Sequence, residues 1–395
     1  MASHNAPHEH ADSFFVDSDY SVDAFRQLVG RTTAADDVPR AASVQRNVPV
    51  YDGSTFASIN RNPVDRRELL GELAWVLAHG PGVFAVTGAL GSHNRLDEVT
   101  EIFQTIIAEQ HEAGKATYTH FAKAGSNDRI WNSHEKLAVR SPEVFAAYYS
   151  ADAIALGCEA WLGPHYQISA QVNRVNPGGE AQAPHRDYHV GFYDAAEMDR
   201  FPRHVHLMSQ GLTLQAAVAH TDMPLESGPT MLLPFSQLFD SGFIASYRDD
   251  FRDVFHEFKV QLPLKAGDMV FFNPALMHGA GANRVEGFER IANLLQVSSA
   301  FGRTMETMSP DLTALAVYPH LADLPDERAR ENVIAAACEG YAFPTNLDRD
   351  PPIGGLAPES QADMIRTAVA KGLSIDEVTE VLAERAARRE GWPGR

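Results

Sequence analysis

The spacing of apolar residues along the first part of the chain is mostly helical. Residues 1–45 are polar and weakly periodic, which predicts an irregular N-terminal arm. From Asp65 onward apolar residues recur at helical spacing as far as the turn at 80–82, where glycine and proline end the predicted helix. A short apolar run at 83–87 then predicts a strand.

Beyond residue 163 the pattern changes to short apolar runs divided by Gly, Pro, Asn and Asp. Many short strands separated by turns are typical of an all-β sandwich or barrel. The connections 193–210 and 237–257 are long for hairpin loops, and long loops on a rigid barrel often carry function. The predicted strands cover 165–175, 185–192, 211–222, 230–236, 258–264, 268–274 and 290–301.

Further helices are predicted on both sides of these strands. Ser92 is a candidate N-cap for one, a second helical stretch covers 134–162, and 359–390 resembles two short amphipathic helices. The chain is therefore predicted to be mostly β with flanking helices. Its predicted regions are an irregular arm (1–45), a β domain with N-terminal flanking helices (46–305) and a helical extension packed on the same domain (306–395).

Composition and charge narrow the classes of function. The 395 residues are 44% hydrophobic and 22% charged, which is ordinary globular composition. A formal net charge of −19 repels phosphate backbones and anionic lipid heads, so neither nucleic-acid nor membrane partners are expected. The N-terminus lacks the layout of a secretory signal, and Cys158 and Cys338 are too few for a disulfide framework. We therefore expect a cytoplasmic protein with two small, buried cysteines.

His185, Asp187 and His278 form a candidate metal site. Side chains two apart on a strand point to the same face, so His185 and Asp187 can bind one ion together. His278 follows another apolar strand and offers a third ligand. Two imidazoles and one carboxylate on one face of an octahedron are diagnostic of non-haem Fe(II) oxygenases. With 17 histidines, a chance His-x-Asp match is the alternative, in which these are scattered surface and core residues.

Other histidines fit a metal site less well. His204 and His206 form a His-x-His pair of the kind found in cupin metal sites, but no glutamate follows at the usual short spacing and Arg203 crowds the pair. We expect His189 and His220 to be core residues or residues that contact the metal ligands without binding the metal. Their ring nitrogens are expected to form hydrogen bonds with backbone groups.

Arg290 is the candidate partner for a co-substrate. 2-Oxoglutarate can chelate iron through its keto and C1-carboxylate oxygens, leaving a position for O2, and its far carboxylate is costly to bury alone. A guanidinium binds a carboxylate bidentately and is permanently charged. Arg290 opens an otherwise apolar strand after His278, whereas Arg284 lies in the preceding turn and is expected to face solvent.

Several short motifs in the same order resemble the phytanoyl-CoA dioxygenase (PhyH) family of Fe(II)/2-oxoglutarate oxygenases. They are Gly-Val-Phe-Ala-Val-Thr-Gly at 82–88, Ala-Gln-Ala-Pro-His-Arg-Asp at 181–187, Leu-Glu-Ser-Gly-Pro-Thr at 225–230, Leu-Pro-Phe-Ser at 233–236, and His-Gly-Ala-Gly-Ala-Asn at 278–283 ahead of Arg290. The resemblance spans most of 65–302 and implies a double-stranded β-helix (a jelly-roll, cupin-like barrel).

The resemblance also implies roles for individual residues. His185, Asp187 and His278 would hold iron, Arg290 would bind 2-oxoglutarate, and Thr230 and Gln171 are the further candidate contacts of that co-substrate. The gap from His278 to Arg290 is one residue longer than the family pattern, which keeps Arg284 as an alternative.

The expected function is oxidation, by preference hydroxylation, of a small-molecule metabolite with release of succinate and CO2. Desaturation or ring formation is an alternative within the class, and a non-catalytic β-barrel binding protein is the alternative outside it. A halogenase needs a halide where Asp187 stands, so it is not favoured. No basic cluster suits the phosphates of an acyl-CoA.

The two long connections predict the position of the substrate mouth. We expect 193–210 and 237–257 to frame it. The aromatic and apolar residues in or beside these segments are Phe192, Tyr193, Phe201, Met208 and Phe239.

Overall fold

The computed structural model describes residues 13–16, 19–91, 95–114, 125–240 and 244–391. The strands are β1 (Ser43–Gln45), β2 (Val48–Asp52), β3 (Val83–Thr87), β4 (Asn127–Ile130), β5 (Gln167–Val175), β6 (Thr213–Ala219), β7 (Met231–Leu232), β8 (Met269–Phe272), β9 (His278–Gly279) and β10 (Arg290–Ser298). The α-helices are α1 (Val22–Val29), α2 (Gly53–Arg61), α3 (Pro63–Ala78), α4 (Leu96–Glu112), α5 (Ser133–Arg140), α6 (Pro142–Tyr149), α7 (Asp152–Leu162), α8 (Ala195–Met198), α9 (Arg203–Gln210), α10 (Asp249–Phe258), α11 (Pro310–Val317), α12 (Glu327–Ala337), α13 (Gln361–Lys371) and α14 (Ile375–Arg389).

The strands form a large and a small sheet, between which the chain alternates. The large sheet has the order β1-β2-β3-β8-β6-β10-β5-β4. The small sheet pairs β7 with β9 and is extended by single bridges, His185 to His278 and Leu232 to Val260. From β5 onward, strands of the large sheet alternate with segments of the small sheet, as in a double-stranded β-helix, with β7 and Val260 both in the small sheet. The fold class implied by the sequence is confirmed, with helices before and after the strands.

The register of β10 decides which side chains face the interior between the two sheets. Leu294 lies opposite Gln171 of β5 and Ala217 of β6, and Gln296 lies opposite Gln215 of β6. Because side chains alternate along a strand, these residues point into the space between the sheets. The intervening positions of β10 are buried in the core on the other face.

Helices cover that outer face of the large sheet and share one apolar core with it. The core includes residues of α3, α7 and β6 and extends through α12 to α14, as far as Leu382. The two helices expected over 359–390 are confirmed as α13 and α14, and each begins with a capping box, Ser360 with Asp363 and Ser374 with Glu377. This core contains residues on both sides of residue 305. The boundary between the β domain (46–305) and the helical extension (306–395) therefore stays a proposal.

The N-terminal region differs from the irregular arm expected over 1–45. Helix α1 lies within it, and Ser21 caps the helix by accepting a hydrogen bond from the backbone N–H of Ala24. Phe25 of α1 is buried and stacks on Phe251 of α10 at 4.9 Å between ring centroids. Contact with a helix far along the chain stabilises α1, and local periodicity does not report such contacts.

The strand expected over 185–192 is wrong beyond its first residue. His185 makes the single bridge to His278, and His189–Phe192 form a 3-10 turn instead of continuing the strand. A Cβ atom at Gly191 would lie 2.6 Å from the carbonyl oxygen of Arg186, so the chain folds back closely on itself there. Pairing in the small sheet is too short to leave a clear alternating pattern.

The remaining differences concern the strand expected over 258–264, which appears as single bridges at Val260 and Leu264, and several helices. The connections 193–210 and 237–257 are partly helical and contain α8, α9 and most of α10. The stretch 134–162 is three helices, because Pro142 cannot continue α5 and begins α6. Ser92 lies outside the described residues, and α4 begins at Leu96.

One smaller expectation is also met by the described chain. Cys158 and Cys338 are free and buried, as expected for small core residues. Among the described helices, none has the length and apolar character needed to cross a bilayer.

A glycine on α7 provides a test of how closely the helices pack on the sheet. A Cβ atom at Gly157 would lie 2.5 Å from the ring of Phe271, which is itself stacked on Phe84 of β3. Gly157→Ala should therefore destabilise the protein by roughly 1–3 kcal/mol through overpacking.

Gly71 on α3 is the matched control, because a Cβ atom there meets nothing within 4 Å. Gly71→Ala should stabilise the helix by roughly 0.5–1 kcal/mol. Equilibrium denaturation of both variants gives the comparison. Equal stabilisation by the two alanines would show that α7 does not pack on Phe271 as described.

Candidate metal centre

His185, Asp187 and His278 meet at one end of the space between the two sheets. The Nε2 atom of His185 lies 3.6 Å from Oδ1 of Asp187, and Nε2 of His278 lies 3.5 Å from Oδ2 of the same carboxylate. One potential ligand atom from each residue lies within 4.8 Å of the other two. The structure thus brings together the three residues expected from the sequence.

Backbone pairing fixes the two histidines relative to each other. The N–H of His185 donates to the carbonyl of His278 at 2.9 Å, and the reverse bond is 3.1 Å. The N–H of Asp187 donates to the carbonyl of Pro274 at 2.9 Å, which extends the same connection. Residues far apart in sequence are therefore held in register by main-chain hydrogen bonds.

Each imidazole is oriented by a hydrogen bond on its other nitrogen. Nδ1 of His185 donates to the carbonyl of Ala183, and Nδ1 of His278 donates to the carbonyl of Leu276, both at 2.9 Å. A carbonyl only accepts, so Nδ1 carries a proton and the other ring nitrogen, Nε2, faces Asp187. Such orientation of the non-ligating nitrogen is typical of histidines that bind metals.

Asp187 is held as an anion by its surroundings. Burial raises the pKa of this carboxyl, but the imidazoles of His185 and His278 outweigh burial and lower the pKa well below its ordinary value. Gln215 of β6 donates from Nε2 to Oδ2 of Asp187 at 2.7 Å. An ionised carboxylate with one fixed oxygen is a suitable metal ligand.

The three residues fit a non-haem iron(II) ion by the chemistry of their donor atoms. Two neutral imidazole nitrogens and one carboxylate oxygen form the 2-His-1-carboxylate set. In the described part of the chain, no other group of three or more His, Cys, Asp or Glu side chains lies close enough to hold an ion. Exposure differs among the three residues, with His278 buried and His185 and Asp187 open to the adjoining cavity.

That cavity occupies the interior between the sheets and has a volume of about 690 Å³. Such a volume lies in the usual range for small-molecule sites. Its walls are mostly apolar, with Phe272 and Leu264 among the side chains that line it. Four arginines also line it, at positions 129, 186, 252 and 290, while Asp187 is the one acidic residue among the described lining residues.

Arg290 lies in the cavity wall and is buried, with 5% of its surface exposed. Its Nη1 donates to the carbonyls of Ser227 at 2.8 Å and Gly281 at 3.2 Å. Among the described residues no carboxylate forms an ion pair with it, and burial lowers the pKa of this guanidinium to about 10. Neutral carbonyls position the side chain and leave its charge available to an anion.

The other co-substrate candidates have different surroundings. Thr230 is half-buried in the cavity wall. Gln171 also lines the cavity, but its Oε1 accepts a hydrogen bond from Nη1 of Arg129 at 2.5 Å. Arg284 is exposed and lies outside this cavity. The geometry therefore favours Arg290 over Arg284.

The remaining histidines lie apart from the three candidate ligands. His204 is exposed, whereas His206 is buried and bonds to the hydroxyl of Tyr188 and the carbonyl of Met198. Burial lowers the pKa of His220 to about 3, and its ring bonds to two side-chain hydroxyls rather than the expected backbone groups. His189 bonds to the carbonyl of Arg303.

The predicted mouth is only partly correct. Phe192 lines the cavity, and segment 237–257 contributes Tyr247 and Arg252. Among the described lining residues none comes from 193–210. Tyr193 and Phe201 stack on each other instead, and Phe239 packs against Phe25.

Two cavity residues with direct contacts at the site were missed by the sequence analysis. Gln215 interrupts the apolar strand β6, and an amide facing inward is a signal that could have identified it. Arg129 lies on β4, a short polar strand that periodicity did not predict. A buried arginine in a four-residue strand gives no comparable signal.

Comparison with known proteins identifies a family whose model matches this chain. The model of the family "Phytanoyl-CoA dioxygenase (PhyH)" matches residues 80–292. The curated relatives include "Dioxygenase trt7" of Aspergillus terreus, 32% identical over 32% of this chain and 39% of that protein. A "Probable phytanoyl-CoA dioxygenase" of Caenorhabditis elegans is 34% identical over 15% of this chain and 21% of that protein. The chain thus matches two fifths or less of the length of these relatives.

Solved structures are more distant. The epimerase SnoN in complex with Fe3+, alpha ketoglutarate and nogalamycin RO is 19% identical, with a TM-score of 0.41. That comparison covers 64% of this chain and 90% of the other.

The metal site can be tested by graded substitutions. Asp187→Ala removes the only anionic ligand, so Fe(II) affinity measured by anaerobic titration should fall most. Gln215→Leu leaves the three ligands intact but frees one carboxylate oxygen, and affinity should fall about 10–100-fold.

Asp222→Ala is the control, because Asp222 is a surface carboxylate paired with Lys265. Its iron affinity should equal that of the unmodified protein. Full iron occupancy in Asp187→Ala would exclude the assigned site.

Proposed function

The chain belongs to the phytanoyl-CoA dioxygenase (PhyH) family, and on this basis we propose that it is an Fe(II)- and 2-oxoglutarate-dependent oxygenase. We further propose that it hydroxylates a small-molecule metabolite, with release of succinate and CO2. The observation that carries the proposal is the pairing of two sites in one cavity. The His185, Asp187 and His278 ligand set lies at one position, and the unpaired cation of Arg290 lies at another.

The line between these two sites suits 2-oxoglutarate. Along β10, Arg290 is followed on the same face by Ala292 and Leu294, and then by Gln296 opposite the Gln215 that holds Asp187. 2-Oxoglutarate bound in this cavity would direct one carboxylate to Arg290 and the other to the metal ligands, which line the same cavity. The small and apolar side chains between them leave room for its methylene groups.

The burial of Arg290 favours a ligand that carries a carboxylate. Arg290 is costly to bury without an anion, and a bound carboxylate would relieve that cost through a bidentate, charge-assisted contact. Its guanidinium is already oriented by the carbonyls of Ser227 and Gly281, so little side-chain freedom would be lost on binding.

Each part of the site has a distinct role in the proposed reaction. Bound iron(II) would supply the oxidising chemistry, using O2 and 2-oxoglutarate. His185, Asp187 and His278 would hold it on one side and leave the cavity side open to both substrates. The apolar walls, with Phe272 and Leu264, would exclude water around the reacting carbon.

Asp187 and the cavity volume support the narrower parts of the proposal. A halide would need the position that this carboxylate occupies, so hydroxylation is favoured over halogenation. A cavity of about 690 Å³ suits a metabolite of modest size. We also propose a reducing, cytoplasmic setting, which the free and buried Cys158 and Cys338 support.

A turnover screen tests the function directly. The iron-loaded protein is incubated with 2-oxoglutarate, O2 and a panel of small metabolites, and succinate and oxidised products are measured by mass spectrometry. A product heavier by one oxygen atom supports hydroxylation, and a product lighter by two hydrogens identifies desaturation or ring closure instead. Absence of 2-oxoglutarate binding to the iron-loaded protein would contradict the oxygenase proposal.

Arg290 and Arg284 provide a matched pair for the co-substrate. Arg290→Ala removes a buried bidentate partner and should weaken 2-oxoglutarate binding by on the order of 2–5 kcal/mol. The apparent KM for 2-oxoglutarate should therefore rise about tenfold or more. Arg284→Ala should leave it nearly unchanged because Arg284 is exposed. The opposite ranking of the two variants would make Arg284 the co-substrate residue.

A further inference from the structure

A second buried cation in the cavity has no role in the function proposed above. Arg129 of β4 is 8% exposed and lines the same cavity as the metal ligands. Its Nη1 donates to Gln171, and its Nε is buried without a hydrogen-bond partner among the described residues. Its guanidinium carbon lies 5.2 Å from the ring centroid of Trp131. The side chain is thus fixed in place, and its Nε donor is left unused among the described residues.

The charge on Arg129 is not neutralised at contact distance. Among the described residues no carboxylate lies within ion-pair distance of it. Asp187 and Glu306 act on it only from farther away, and they oppose the lowering of its pKa by burial. Asp187 serves the metal site, and Glu306 accepts a hydrogen bond from the backbone N–H of Asn132 at 2.7 Å. A buried, unpaired guanidinium is costly unless an anion binds to it.

The charges of the other side chains that line the cavity also favour an anionic ligand. The protein carries a net charge of −19, yet four arginines and one aspartate line this cavity. Arg186 donates to the backbone carbonyls of Ser236 and Ala275, and Arg252 lies 3.6 Å from Asp249. Bound 2-oxoglutarate would bring two negative charges, one for Arg290 and one for the metal. Arg129 would still lack an anion.

Arg129 also lies to one side of the line assigned to 2-oxoglutarate. Arg290 is on β10, and β4 is separated from β10 by β5. At about 4.8 Å per strand, the two backbones are roughly 10 Å apart. The side chain of Arg129 contacts Gln171, which lies opposite Leu294 of β10. A second molecule beside 2-oxoglutarate could therefore reach both Arg129 and the metal.

We propose that the primary substrate carries a carboxylate, which Arg129 binds while the apolar remainder of the molecule occupies the cavity beside the metal. This inference rests on the proposed function and names the substrate class of the same site. Trp131 supports the guanidinium from one face through a cation–π contact. Met305 and Phe192 offer apolar contacts to the rest of the substrate. The class is small, mainly apolar carboxylic acids.

The test compares carboxylic acids with their own methyl esters. The probes are linear, alicyclic and aromatic monocarboxylic acids, each beside its ester. Binding is measured from the thermal shift of the protein loaded with Fe(II) and 2-oxoglutarate without O2, so no turnover is needed. At least one acid should bind about tenfold or more tightly than its ester, because the ester has no charge for Arg129. Absence of that preference across the panel would overturn the proposal.

Variants then assign the preference to Arg129. Arg129→Met should weaken acid binding about tenfold or more and abolish the preference over the ester, and Arg129→Lys should restore part of it. Arg140→Met is the control, because Arg140 is a surface residue paired with Glu109, and it should retain the preference. Circular dichroism of Arg129→Met and Arg129→Lys checks that both are folded.

The affinity for 2-oxoglutarate separates this inference from the proposed function. In Arg129→Met it should change less than about threefold, whereas Arg290→Ala should weaken it about tenfold or more. If Arg129→Met weakens 2-oxoglutarate as strongly as Arg290→Ala does, Arg129 binds the co-substrate and the inference is wrong. If 2-oxoglutarate binds neither protein nor variants, the proposed function itself fails.

Discussion

The site depends on one pair of backbone hydrogen bonds, exchanged between His185 and His278. Each residue donates its N–H to the carbonyl of the other, at 2.9 and 3.1 Å. This bridge joins two segments of the small sheet and brings both imidazoles to the same position, with ring centroids 4.5 Å apart. Asp187 follows two residues later and is tied to Pro274 in the same way. The ligands are therefore positioned by main chain, and side-chain hydrogen bonds only refine their orientation.

The large sheet provides the second constraint, because its register fixes the distance from the ligands to the buried cations. Pairing of β10 with both β5 and β6 places Gln215 near Asp187 and Arg290 near the opposite end of the strand. Uncharged groups orient both arginines, carbonyls for Arg290 and the amide of Gln171 for Arg129. Such partners orient a guanidinium without cancelling its charge. An acidic protein thereby maintains a cationic interior suited to anionic ligands.

Sequence patterns predicted the strands and helices that have one buried face and are long enough for its apolar residues to recur. The strands β5, β6, β8 and β10 show clear apolar runs because the large sheet is buried on its helix-covered face. The small sheet consists of pairs of one or two residues, which are too short for a period of two to appear. Edge strands are also hard to predict, and β4, with the sequence Asn-Asp-Arg-Ile, is stabilised by pairing with β5 rather than by local preference.

The same distinction applies to the site. The three candidate ligands were predicted because their chemistry is specific, although the strand expected over 185–192 is wrong beyond its first residue. Arg129 was not predicted, since its burial depends on the tertiary position of an edge strand. Gln215 was not predicted either. An amide in an apolar strand indicates a polar contact, but only the folded structure shows that its partner is Asp187. Contacts between distant segments are what the sequence alone did not reveal.

The spacing from His278 to Arg290, one residue longer than the resemblance led us to expect, falls in a part of the fold where length can vary. Segment 281–289 is a turn that precedes the paired part of β10, so its length does not alter the register. Gly228 adopts a left-handed φ of 72°, and a Cβ atom there would lie 2.3 Å from the carbonyl of Ala282. Only glycine permits this close approach between 227–229 and 281–282. The contact brings the carbonyls of Ser227 and Gly281 together on Arg290, so the turn can vary in length while the arginine keeps its place.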